Sequence, residues 1–114
     1  SRIAQDPDVL AIGLAICDID GLKLVNDTFG HDYGDILLLG ASKILKKTVG
    51  SGASISRIGG DEFAILIPNS SPESLEDISK NITLLSTEYN RLNPQLHLSI
   101  STGYAYREGS PIDM

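Results

Sequence analysis

A pair of glycines between two short apolar runs constrains the fold of this chain more than any other feature. In the stretch ISRIGGDEFAILI, residues 55–67, Gly59 and Gly60 separate two runs rich in β-branched residues. Short runs with a glycine connection are typical of a β-hairpin, so the two strands are predicted to be antiparallel neighbours. A hairpin has no need of adjacent carboxylates, yet Asp61 and Glu62 follow the glycines directly. These acids therefore call for an explanation of their own.

The remaining patterns predict an alternation of strands and helices. Val9–Cys17 is a short run that is apolar on both faces and indicates a buried strand ending at Asp18. The other predicted elements are a helix from Leu22 that stops at Gly30, a helix from after Gly34 to about Val49, strands at 54–58 and 62–67, a helix that Ser71 and Pro72 begin, and an alternating strand at 96–106. The resulting order is βααββαβ. It predicts an α+β, ferredoxin-like split arrangement in one domain, with both longer helices on one face of the sheet.

Length and charge limit the partners of this chain. Its 114 residues suit one domain spanning 1–114. A net charge of −6 argues against nucleic acid or an anionic membrane as a direct partner. The longest apolar run is too short to span a bilayer. The single cysteine, Cys17, allows no internal disulfide and indicates a reducing compartment, so we expect a cytoplasmic domain, within a parent protein that can itself be membrane-anchored.

The strand directions bring acidic residues from two parts of the chain to one edge of the sheet. A helical crossover makes the first and second strands parallel, so Asp18 and the glycine turn lie at the same edge. If the third strand pairs with the first, Asp18 faces Asp61, with Asp20 and Glu62 nearby. Two carboxylates ~4 Å apart repel by ~4 kcal/mol at an effective dielectric constant of ~20, a cost that either a raised pKa or a cation offsets. Oxygen donors of this kind suit Mg²⁺ or Mn²⁺, and the alternative is a solvated rim whose acids never converge.

The helix after the first strand carries groups that suit a nucleotide. Free N–H groups at its start would hold phosphate, and Lys23 adds a positive charge there. Asn26 and Asp35 can reach the same place, where a carboxylate accepts from N1–H and N2–H₂ of guanine and an amide serves the acceptor edge of the base. The alternative for Asn26 is ordinary helix surface. Asp35 is equally well a cap of the second helix.

Two stretches of the chain together resemble the GGDEF family, the diguanylate cyclases. They are DIDGLKLVNDTFGHDYGD, residues 18–35, and RIGGDEF, residues 57–63, and the resemblance extends over essentially the whole chain, including SISTGYA. The resemblance implies a fold related to the palms of nucleotidyl cyclases and polymerases. It also implies the condensation of two GTP into cyclic di-GMP, with release of two pyrophosphates.

The resemblance assigns roles by position. Asp18, the carbonyl of Ile19 and Asp61 match the ligands of a Mg²⁺ or Mn²⁺ ion. The other matched positions are Lys23 for phosphate, Asn26 and Asp35 for guanine, Gly59 and Gly60 for close approach of the nucleotide to the backbone, and Asp61 and Glu62 for catalysis. Glu62 would support charge or help to activate the ribose 3′-hydroxyl. Because one domain holds one GTP, catalysis requires a homodimer, which a sensor or receiver domain upstream would control.

The chain also departs from the family pattern. Only SRIAQDPD precedes the first strand and GSPIDM ends the chain, so we expect a fragment that lacks the family's N-terminal helix and its C-terminal helix with Lys and Arg. The family's product-inhibition site begins with an Arg-x-x-Asp motif where residues 50–53 here are Gly-Ser-Gly-Ala, which predicts no inhibition through that site. Two alternatives to an enzyme stay open. One is a catalytically silent GTP-binding regulatory module, and the other is an interaction scaffold.

Overall fold

The computed structural model describes residues 11–108, which form four strands and three helices in the order βααββαβ. Their bounds are β1 Ala11–Ile19, α1 Leu22–Phe29, α2 His31–Val49, β2 Ser54–Arg57, β3 Glu62–Pro68, α3 Pro72–Leu92 and β4 Ile100–Glu108. The predicted α+β class and element order are confirmed. Residues 1–10 and 109–114 lie outside the described residues, and the expectation of missing terminal helices concerns those ends.

The strands form one sheet in the order β2-β3-β1-β4, and every neighbouring pair is antiparallel. β1 and β2 therefore run in the same direction on either side of β3, as the helical crossover predicts. The register sets Asp18 opposite Glu62 on one side and opposite Ser101 on the other. The end of β1 and the turn between β2 and β3 consequently share one edge.

One face of the sheet carries the hydrophobic core. Ala15, Cys17 and Ile19 of β1 are buried there together with Phe63 and Ile65 of β3. The helices supply the other half of the core, with Leu37, Leu45, Leu75 and Ile82. Burial raises the pKa of the Cys17 thiol above its ordinary value, as expected for a core cysteine.

The predicted buried strand, mostly apolar on both faces, is fully buried on one face only. The burial pattern of Ala11–Ile19 alternates, and the residues between the core positions are only half-buried. Such alternation is characteristic of an antiparallel sheet with its core on one face.

Three predicted boundaries differ from the structure. β1 continues to Ile19, whose N–H donates to the carbonyl of Asp61 at 2.9 Å. α2 begins at His31, directly after Gly30, and not after Gly34. β4 begins at Ile100 because the backbone of Leu98 is bound by the side-chain amide of Asn90 instead of by a neighbouring strand.

The start of α3 is confirmed as predicted. Ser71 is the N-cap, and its hydroxyl accepts from the N–H of Ser74 while the Ser74 hydroxyl accepts from the N–H of Ser71. Pro72 occupies the first turn. Neither this helix nor another in residues 11–108 has the length and apolar character needed to cross a membrane.

Candidate functional site

Three carboxylates meet where β1 ends beside the turn between β2 and β3. Asp18, Asp61 and Glu62 each offer an oxygen, and these atoms lie within 4.8 Å of one another. The pairing of Asp18 with Glu62 and the bond from Ile19 N–H to the Asp61 carbonyl hold the two segments together. Asp18 and Glu62 are half-buried and Asp61 is exposed. The structure thus brings together the acids that strand directions predicted to converge.

No cation of the described residues neutralises these acids. The salt bridges within residues 11–108, Lys80 with Glu76 and Arg91 with Glu88, both lie on α3. A set of close carboxylates without a basic partner fits a hard divalent cation, which prefers oxygen donors. In an antiparallel strand the N–H and C=O of a residue point to the same neighbour, so the Ile19 carbonyl also points to the turn that carries Asp61.

Asp20 directly follows the end of β1 but is not among the acids whose oxygens lie close together. Its carboxylate accepts from the hydroxyl of Ser99 at 2.8 Å and from that of Ser101 at 2.7 Å. Its N–H also donates to the Ser99 carbonyl. Asp20 therefore fixes the entry to β4, and its oxygens are already occupied within the protein.

Arg57 holds the glycine turn, a role that the sequence analysis missed. Its Nε donates to the Gly59 carbonyl at 3.1 Å and its Nη2 to the Gly60 carbonyl at 2.7 Å. The N–H of Ile58 closes the turn on the carbonyl of Glu62 at 3.0 Å. An arginine two residues before a glycine pair is the signal in the sequence that could have indicated this clamp. The clamp sets the backbone from which Asp61 projects.

The conformation of the turn does not itself require glycine. The described residues with positive φ are Gly21, Gly30, Gly50 and Asn69, so neither glycine of the turn is among them. A Cβ at Gly60 would meet no atom of the described residues within 4 Å, and one at Gly59 would meet only the Glu62 side chain, at 3.6 Å. What the two glycines keep open is the space outside the turn, beside the acids.

A pocket of about 480 Å³ lies between α2 and the hairpin. Its polar lining includes Asp35, Ser42, Lys46 and Arg57, and Phe63 forms part of its apolar wall. Asp35 is the fifth residue of α2, four residues beyond its start, so the alternative that it caps this helix is wrong. Its carboxylate instead joins the pocket that Arg57 connects to the turn.

α1 contributes its N-terminus and Asn26. Its N-cap is Gly21, at φ 70°, with no side-chain cap, which leaves the first N–H groups of the helix available to an anion. Lys23 is exposed in this first turn and forms no hydrogen bond or salt bridge within residues 11–108. The structure shows no contact that joins Lys23 to the acids. Asn26 packs against Gly34 of α2, next to Asp35.

Comparison with known proteins gives a consistent result. The family model described as diguanylate cyclase, GGDEF domain, matches residues 3–112. An uncharacterized membrane protein of Staphylococcus haemolyticus is 36% identical over 109 residues, which cover 93% of this chain and 30% of that protein. The bifunctional diguanylate cyclase/cyclic di-GMP phosphodiesterase MucR of Pseudomonas aeruginosa is 34% identical over 93 residues, covering 81% of this chain and 14% of that protein. The chain thus spans less than a third of either relative.

Among solved structures, the active GGEEF domain of a diguanylate cyclase from Vibrio cholerae superposes with a TM-score of 0.77. It shares 26% sequence identity with this chain, and the match covers 92% of this chain and 69% of that domain. The arrangement of β1, the hairpin and the helices is therefore shared with a cyclase palm.

Proposed function

This chain belongs to the GGDEF family of diguanylate cyclase domains, and on that premise we propose that it is the catalytic domain of a diguanylate cyclase. The reaction joins two GTP into cyclic di-GMP and releases two pyrophosphates. The observation that carries the proposal is the meeting of Asp18, Asp61 and Glu62, with oxygens within 4.8 Å and no basic partner within the described residues. An interaction scaffold would have no use for such a cluster.

The oxygens of Asp18 and Asp61 and the Ile19 carbonyl would hold Mg²⁺ or Mn²⁺ at the edge of the sheet. The ion, when bound, neutralises triphosphate charge and polarises the phosphoryl group. The free N–H groups of α1 and the ammonium of Lys23 would hold the phosphates. Glu62 would sit beside the same ion, as charge support or as the group that accepts a proton from the ribose 3′-hydroxyl.

Asn26 and Asp35 would select the base. Asp35 accepts from N1–H and N2–H₂ of guanine, and the Asn26 amide bonds the acceptor edge. The open space beside Gly59 and Gly60 would let the sugar and phosphates approach the turn without meeting a Cβ. In support of this arrangement, Asp35 and Arg57 line the same pocket, and Arg57 holds the turn that carries Asp61.

Because one domain holds one GTP, two copies must face each other for each 3′-hydroxyl to reach the other nucleotide's α-phosphorus. We infer a transient two-fold homodimer as the active form. A sensor or receiver domain of the parent protein, upstream of this chain, would control its formation. The chain would work in the cytoplasm, where GTP is available, also when the parent is anchored in a membrane.

The proposal is tested by incubating the parent protein with GTP and Mg²⁺ and separating the products by chromatography. Cyclic di-GMP with pyrophosphate is expected, and Asp61→Asn should abolish it. Asp61→Glu is the matched control that keeps the charge, and it should retain activity because the active Vibrio cholerae domain is described by a GGEEF motif. Tight GTP binding without cyclic product, even at high protein concentration, would overturn the catalytic proposal in favour of a silent regulatory module.

A further inference from the structure

The contact between Asn26 and Gly34 is closer than any side chain at position 34 would allow. Gly34 is buried in the first turns of α2, where the amide of Asn26 lies directly over its Cα. An added Cβ would overlap Asn26 Oδ1 and would lie 2.8 Å from its Cγ and 3.3 Å from its Nδ2. A contact under 3.0 Å forces one partner to move, and here that partner is the end of the asparagine side chain.

The backbone gives no other reason for glycine at position 34. Gly21 and Gly30 have positive φ and occupy helix ends, whereas Gly34 has an ordinary helical conformation inside α2. Glycine in a helix interior is less favourable than alanine by roughly 1 kcal/mol. The position therefore carries a cost in helix stability, and what it provides in return is room for one amide group.

The two ends of the Asn26 amide differ in their exposure beside Gly34. Asn26 Oδ1 is buried and has no hydrogen-bond partner within the described residues. Nδ2 is not among the buried unpaired atoms, so it stays accessible, and it is not bonded to another described residue. With its oxygen turned toward Gly34, the asparagine presents N–H groups. It can then donate to O6 and N7 of a guanine but would meet the N6 amino group of an adenine with another donor.

From this geometry, and resting on the proposed function, we propose that Gly34 is a specificity-determining residue that acts through Asn26. Because Gly34 has no side chain, the Asn26 amide packs against its Cα with Nδ2 directed outward. Asp35, whose carboxylate is proposed to bind guanine, is the next residue of α2. Asn26, positioned by Gly34, would then bind the acceptor edge of the base, and the neighbouring Asp35 would bind its donor edge. Gly34 touches no nucleotide itself and is a positioning residue.

Binding of GTP, ITP and ATP to the parent protein with Mn²⁺ tests this role. Gly34→Ala is expected to weaken the binding of GTP and of ITP by about tenfold each, because both bases keep O6 and N7. This corresponds to the loss of one good hydrogen-bonded pair, ~1.4 kcal/mol. ATP binding should change less than about twofold on the same scale. In an Asn26→Ala background, Gly34→Ala should cause no further loss. Gly52→Ala is the matched control, because a Cβ there would meet nothing within 4 Å.

Thermal unfolding of the same variants, without nucleotide, separates this inference from the proposed function. In the Asn26→Ala background the added methyl finds space, so Gly34→Ala should raise the melting temperature by a few degrees, roughly the gain from a better helix residue. In the wild-type background this rise should be absent. If Gly34→Ala changed the melting temperature equally in the wild-type and Asn26→Ala backgrounds, the close contact between Asn26 and Gly34 would be refuted. If the melting temperatures depend on the background as expected but wild type binds no nucleotide, the proposed function and the base-reading role would both be overturned. If Gly34→Ala weakens binding of GTP, ITP and ATP equally, only its role in specificity would be overturned.

Discussion

Replacing Asp18 with asparagine is expected to stabilise the protein in the absence of divalent cations and to remove its response to them. Asparagine keeps the shape of the side chain and its place opposite Glu62 and Ser101 in the sheet. What it removes is one negative charge from a group of three whose oxygens lie within 4.8 Å of one another. The substitution thus isolates the electrostatic cost of the cluster from its packing.

The structure sets the size of this effect. At the 4.8 Å limit of the cluster, one pair of charges repels by ~0.9 kcal/mol at a dielectric constant of ~80 and by ~3.5 kcal/mol at ~20. Asp18 is half-buried but Asp61 is exposed, so the lower value is the better guide for each of the two pairs removed. A gain of about 1 to 2 kcal/mol at low ionic strength corresponds to a rise of at least about 4 °C in melting temperature for a domain of this size.

The assay is thermal unfolding followed by circular dichroism, first with a chelator and then with Mn²⁺. Wild type should melt at a higher temperature with Mn²⁺, because an ion that binds only the folded state stabilises it. Asp18→Asn should melt at a higher temperature than wild type in chelator, and Mn²⁺ should not raise its melting temperature further. The difference between the two proteins in chelator should shrink at about 1 M salt, where the Debye length is ~3 Å. Asp77→Asn, an exposed acid of α3 outside the cluster, controls for loss of charge alone. A lower melting temperature for Asp18→Asn in chelator, or an equal response of both proteins to Mn²⁺, would refute the reasoning.

Further predictions concern the cap, the clamp, the thiol and the product. Ser71→Ala should lower the free energy of unfolding by ~1 kcal/mol, because α3 loses its reciprocal cap; an unchanged urea midpoint would contradict this. Arg57→Met should reduce the cyclisation rate of the parent by about tenfold or more while leaving the fold intact, since the carbonyls of the glycine pair lose a charged donor. A cyclisation rate equal to that of wild type would show that these hydrogen bonds do not matter for catalysis. The raised pKa of Cys17 means that the unfolded chain ionises first, so stability should fall as pH rises above the ordinary thiol value of 9.0, and Cys17→Ala should reduce that fall. Cyclic di-GMP should not slow the reaction through residues 50–53, and inhibition that substitutions there relieve would contradict the expectation.

Strand directions and the meeting of the acids could be predicted because each follows from local signals. The glycine pair indicates a hairpin, and the helices between β1 and β2 require parallel strands. These rules leave few ways to complete the sheet, and the observed order β2-β3-β1-β4 is one of them. Once β3 pairs with β1, Asp18 lies beside the turn. The capping sequence of α3 was equally local, since Ser71, Pro72 and Ser74 lie within one helical turn.

The errors arose where a distant partner decides the outcome. Nothing near Asp20 in the sequence indicates that Ser99 and Ser101 bind its carboxylate, because these serines lie about 80 residues away. Gly34 resembles a helix breaker, yet it lies inside α2, where the side chain of Asn26 in the preceding helix packs against it. Gly30 was identified as a stop for α1, but its φ of 97° also serves as the start of α2. One residue separates the two helices, so the periodicity alone could not place the second boundary.

The polar groups of this edge fall into two classes, and the division argues for where a ligand belongs. Asp20 and Asn90 form their hydrogen bonds within the protein and fix segments of the fold. The carboxylates of Asp18, Asp61 and Glu62 are crowded without a basic partner in the described residues. Folding alone does not offset the cost of the second class, since crowded charges repel. These residues should therefore destabilise the empty domain and stabilise the loaded one, which is why Asp18→Asn is expected to change the melting temperature in opposite directions, relative to wild type, in chelator and in Mn²⁺ with GTP.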